Sequence, residues 1–191
     1  MNLTQKKEII ICHELAFADS IGSAVLEKPK ASTWMIFIPI FFLFFIYRMK
    51  KFKKDRTKFL EEFMKARRDA MDIALDAAAA EGSTSLDGAV QVPDLPEPLQ
   101  KPYVSWIQTL SGHYLDLLTA DGDDFGSLVC AAYRNRSNYL LVLNRLNSAE
   151  KGFYTALKPY LASVEGAFDI SAKIEAESRR LRSDTAGSIF C

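Results

Sequence analysis

Apolar positions in this chain recur three and four residues apart through most of its length, the spacing of helices with one buried face, and no segment shows a convincing alternation with the period of two that a half-buried strand needs. Thr4 to Lys28 reads as a first helix, capped by Thr4 and stopped by Pro29, with Ile11, Leu15, Ala18, Gly22 and Val25 on its apolar face. Ala18 and Gly22 on that face form a small-xxx-small pair that permits close helix approach. Asp55 to Glu81 reads as a second helix, its face built from Phe59, Leu60, Phe63, Met64, Met71, Ala74, Leu75 and Ala78. Gly82 to Pro102 carries four prolines and two glycines and reads as a linker. Beyond it the spacing predicts helices over Tyr103–Thr119, Phe125–Asn147, Ser148–Leu161 and Val164–Arg182, then a frayed tail from residue 184. Asp123 or Asp124 is placed to cap the Phe125 helix, and Asn135 falls on that helix's apolar face.

One stretch departs from this amphipathic pattern. Ala31 to Tyr47 has no charged residue, and five of the chain's 13 phenylalanines lie between Phe37 and Phe45. At 1.5 Å per residue a helix of this run is roughly 25 Å long, against a hydrocarbon core of about 30 Å. Long-stemmed Lys28, Lys30, Arg48, Lys50 and Lys51 can extend it by reaching to the head groups. Trp34 and Tyr47 bracket it where interfacial aromatics belong, and Phe41, Phe42, Phe44 and Phe45 supply the apolar mass. The expected element is a single transmembrane helix kinked at Pro39. Its rival is a re-entrant wedge that turns at Pro39 and returns both ends to one compartment; a buried core helix is the third reading.

Charge sets the expected orientation. Residues 1–47 carry four basic and four acidic residues, residues 48–58 carry seven basic residues against Asp55 alone, and residues 59–191 carry 13 basic against 19 acidic. A basic collar that includes Arg48, Lys50, Lys51, Lys53 and Lys54 therefore follows the apolar run and precedes an acidic body. The positive-inside rule places that collar in the cytoplasm and exports the first thirty residues. An acidic body argues against nucleic acid as a partner, because phosphate binding needs clustered Lys and Arg.

Candidate chemistry is sparse. Cys12, Cys130 and Cys191 are far apart and odd in number, with no metal spacing or disulfide framework; an exported Cys12 would be a candidate link between two protomers. Asp69, Asp72 and Asp76 share a helix face but read as a solvated one. Arg134 and Arg136, with Arg145 and several asparagines nearby, form the strongest candidate contact for an anion or a partner. Even so, arginines paired with the surplus acids are the plainer reading. His113 with Asp116 three residues on reads as a structural pair, since no nucleophile, phosphate loop or two-histidine metal set accompanies it.

The sequence thus predicts an all-α protein: an N-terminal amphipathic helix over 1–30, a membrane run over 31–47, a collar over 48–58, and a cytoplasmic bundle of four to five helices over 59–183 interrupted by the 82–102 linker. The expected role is a non-enzymatic scaffold or accessory subunit at the inner (plasma) membrane, without cofactor or metal, whose partners are the bilayer and another membrane-associated protein. A membrane-sensing or remodelling protein built on the wedge is the alternative. An enzyme or sensor binding a small anionic ligand through Arg134 and Arg136 is a further one.

Overall fold

The computed structural model describes residues 1–26, 55–80, 88–90, 95–161 and 167–190, with side chains left aside at 26, 55–58, 161, 167, 168 and 170. Those residues form six α-helices and no strand: α1 (Leu3–Leu26), α2 (Asp55–Ala79), α3 (Glu97–Thr119), α4 (Phe125–Tyr133), α5 (Arg136–Leu161) and α6 (Ala167–Ile189). Among them no helix is long and apolar enough to cross a membrane. The apolar run 31–47, with Trp34, Pro39, Phe41, Phe42, Phe44, Phe45 and Tyr47, and the collar from Arg48 to Lys54 lie outside the described residues.

Helix α1 begins one residue before the expected cap. The Asn2 and Gln5 side chains each accept the other's backbone N–H, closing a reciprocal cap at 2.9 and 3.1 Å. The separate N-terminal helix expected from the sequence is corrected by its burial: Ile10, Phe17, Ala18, Ile21 and Val25 lie in the same core as α2 to α6. The buried stripe is rotated from the expected one, so Leu15 is exposed while Ile10, Phe17 and Ile21 are covered. Helices α1 and α2 pack antiparallel. Lys7 pairs with Asp72, Glu14 with Arg67, Phe17 meets Phe63, and Gly22 approaches Phe59 so closely that a Cβ there would lie 2.9 Å from its ring.

Helix α3 starts six residues earlier than expected, because the prolines of its first turn need no helical donor: Pro96 is the N-cap and Pro98 follows in the first turn. Burial of Leu95 and Leu99 repays the extra length with apolar area. At the other end of α3, the buried Lys6 amine donates to the carbonyls of Leu118 (3.0 Å) and Ala120, which the helix leaves without partners.

The break expected after Asn147 is absent, and α5 runs through Ser148 to Leu161. The chain breaks instead at Arg134, which has φ of 66°, a region that L side chains seldom occupy. Asn135 caps the next helix by accepting from the Asn138 N–H at 2.9 Å and is exposed, not a core polar residue. Helix α4 has the expected Asp124 cap, which accepts the Ser127 N–H at 2.7 Å. Helix α6 continues to Ile189, beyond the tail expected from residue 184, with Ala186 buried and Phe190 against Tyr139.

Candidate functional site

The centre of the bundle holds two acidic and two basic side chains from four helices. Glu14 of α1 accepts from the Arg67 Nε of α2 at 2.9 Å. The same guanidinium lies 3.5 Å from Glu150 of α5, and Glu150 accepts from Arg182 of α6 at 2.7 Å. Arg182 also donates to the Asn147 amide oxygen one turn earlier on α5. Two acids and two bases alternate, so the cluster is neutral as a whole. The Phe17 ring centre lies 5.6 Å from the guanidinium carbon of Arg67 and 5.3 Å from that of Arg182, while the Phe63 ring lies 3.8 Å from Arg67. Aromatic faces replace part of the water these cations lose.

The helices position these groups through ordinary apolar periodicity. Arg67 falls on the α2 stripe between Phe63 and Ala70 and is fully buried, so its charge must be met inside the protein. Burial pushes the Glu14 carboxyl up, but Arg67 and then His13, Arg182 and His113 outweigh it and hold the carboxyl below its usual range. Burial likewise works against the Arg67 charge, and Glu14 and Glu150 more than restore it. Both groups are therefore ionised at neutral pH.

Not every polar atom is satisfied. Arg67 Nη2, Glu150 Oε1 and the Tyr154 hydroxyl are buried without a hydrogen bond, although Glu150 and Tyr154 both face the Arg67 guanidinium; the Tyr114 hydroxyl lies against Glu14. Burial first, then the neighbouring carboxylates, push both tyrosines well above their ordinary pKa, so each remains a neutral hydroxyl.

Beside this cluster lies a packed group of rings from α3, α4 and α5. His113 Nδ1 meets the Tyr133 hydroxyl at 2.6 Å, and that hydroxyl donates to Asp116 at 3.2 Å. The Tyr133 proton is committed to Asp116, so His113 presents Nδ1–H to the Tyr133 oxygen. Burial lowers the His113 pKa to about 4, leaving a neutral imidazole at physiological pH. His13 of α1 stacks on Phe125 with ring centroids 3.5 Å apart, and burial lowers its pKa too.

The residues singled out from sequence fare differently. His113 and Asp116 are brought together, with Tyr133 as a third member that spacing alone did not indicate. Arg134, Arg136 and Arg145 are exposed, and none has an ion-pair partner among the described residues. Asp72 pairs with Lys7, so the three-aspartate face of α2 serves in part to hold α1. Cys12 and Cys130 are exposed free thiols. Glu14, Arg67, Glu150 and Arg182 were not singled out. Their signal is a lone charge set into an apolar stripe, readable only once the register of each stripe is known. The chain matches no known protein family, characterised protein or solved structure.

Proposed function

We propose that the protein is a non-enzymatic scaffold seated on the cytoplasmic face of a membrane. Its bundle lies wholly on one side, residues 31–47 enter the bilayer as a wedge turning at Pro39, and the bundle holds a protein partner there. The observation that carries this reading is the register of α1 against α2. Residue 7 pairs with 72, 14 with 67, 17 with 63 and 22 with 59, so each pair is centred between positions 39 and 41. A bilayer cannot pass between two helices that share a core. In this reading the run joining them leaves and returns on the same side, since seventeen residues are too few for two crossings, which take roughly 40.

Proline suits the turn because it lacks the donor that a continuing helix needs and clashes with the turn before it. Trp34 and Tyr47 then sit at head-group depth on the two arms, and the collar meets anionic lipid on the cytoplasmic leaflet. This topology replaces the exported N-terminus that flanking charge alone suggested. The non-enzymatic part of the reading is supported by the central ionisable groups, which are engaged with one another across helices.

The two exposed native thiols test the topology. Full-length protein carrying Cys191→Ser in sealed vesicles is treated with a membrane-impermeant maleimide. Cys12 and Cys130 are expected to react together from one side and to be protected together from the other. Labelling of one with protection of the other, or failure of the protein to sediment with membranes, overturns the proposal.

A further inference from the structure

Helix α6 is held differently from its neighbours. From Ser171 onward the residues it buries are Ser171, Ile174, Ser178, Arg182 and Ala186, of which only Ile174 is a large apolar side chain. The Ser178 hydroxyl is buried without a partner, which weakens docking because that group is hydrated when the helix leaves. The outer face carries ion pairs internal to the helix, Arg179 with Glu175 at 3.2 Å, Arg180 with Asp184 at 2.6 Å and Arg180 with Glu177, and one exposed pair to α5, Glu175 with Lys151 at 3.8 Å. Such i,i+3 and i,i+4 pairs support a helix whether or not it is docked.

The central cluster is arranged so that the departure of α6 strands no charge. Arg182 leaves with the helix and is solvated, while Glu150 keeps Arg67 on its other side at 3.5 Å and Arg67 keeps Glu14 at 2.9 Å. We infer that α6 is a releasable strap over the groove between α1 and α5. Its release uncovers a docking site for a partner's amphipathic helix with small residues along one face and a lysine or arginine opposite Glu150 and Asn147. Charge complementarity selects this occupant. Glu150 and Asn147 present two acceptors to a cation, and Phe17 supplies an aromatic face for it, the arrangement Arg182 now uses. The inference deepens the scaffold reading by naming the kind of partner held, and rests on it to that extent. Strap release itself is read without any membrane.

Two measurements on the full chain in detergent test it. In hydrogen exchange, the amides of residues 171–186 are expected to exchange at least about tenfold faster than those of α3, through an opening that leaves α3 protected. Equal protection of the two helices overturns the strap. A labelled peptide of residues 167–190 is then added in trans. It is expected to bind the Arg182→Ala protein, whose own strap is weakened, at least about tenfold more tightly than wild type, and to lose that gain when Glu150→Ala is added. Exchange of wild type needs no variant to fold. A peptide that binds none of the forms, or binds regardless of Glu150, overturns the docking site. The thiol-labelling outcome bears on neither measurement, so the two proposals fail separately.

Discussion

Helices α3 and α6 are both 23 residues long and both help enclose the same charged centre, yet they are held by opposite means. Helix α3 buries Leu99, Tyr103, Trp106, Ile107, Leu110, Tyr114, Leu117 and Leu118. Its Trp106 stacks on Phe153 of α5, with ring centroids 5.9 Å apart and planes within 16°, and Tyr103 meets the same ring edge-on. Helix α6 instead offers two serines, an alanine, one isoleucine and an arginine. Apolar area is non-directional and accumulates, so α3 can leave Trp106 Nε1 and Ser111 Oγ unpaired and remain anchored. An ion pair is directional and loses much of its worth to desolvation. One helix is therefore part of the foundation, and the other is an attachment.

The contrast can be broken most strongly at Trp106. Trp106→Ala is expected to cost about 3–5 kcal/mol in urea unfolding and to lower the stability of the whole bundle, not of α3 alone. A loss below about 1 kcal/mol would show that α3 is no better anchored than α6.

A second effect, of about 3 kcal/mol, comes from His113 and pH. Its pKa falls from 6.5 in the unfolded chain to about 4 in the bundle, so between those values the unfolded state binds more protons. Stability is therefore full above pH 6.5 and declines as pH falls toward 4. Urea midpoints measured across that window should show the decline, and His113→Asn should flatten most of it, leaving the smaller slope due to His13. The depressed Glu14 carboxyl acts lower: its contribution is present above the ordinary glutamate range and is lost only as pH drops through its folded value. An unchanged slope in His113→Asn would mean that the imidazole is not buried neutral.

The smallest effect sharpens the comparison from the other side. Ser178→Ala removes an unpaired hydroxyl and installs a better helix former, and should gain up to about 1 kcal/mol. The gain is expected in the exchange protection of α6, with α3 unchanged. Equal gains in both helices would show that α6 does not open by itself.

Element type was legible wherever the apolar spacing was long, and the misreadings have local causes. The helix around Phe125 was read through Arg134 because an arginine at positive φ carries no sequence signal comparable to a glycine there. Ser148 suggested a new start, but a serine inside a helix and one at its cap look alike until the preceding residues are placed. Pro96 and Pro98 were read as linker, although proline is welcome in a first turn. Asn135 sat on a period that the break at Arg134 resets. At the centre, Arg67 and Arg68 stand side by side in the sequence, and nothing local distinguishes them. In the structure Arg67 is buried and Arg68 exposed, a difference set by where the stripe faces.

What the sequence determined by itself is local and additive: helical periodicity, a cap at Asp123 or Asp124, and the segregation of apolar run, basic collar and acidic body. Each depends on residues within a few positions of one another. Only the tertiary structure decided that α1 belongs to the bundle, that Glu14, Arg67, Glu150 and Arg182 meet, and that the α1–α2 register is centred near Pro39. Those facts depend on contacts between residues far apart in the chain, such as Glu14 with Arg67, Glu150 with Arg182, or Lys6 with the end of α3. Whether a charge faces water or another charge is settled by the helix packed across from it, which no local pattern specifies.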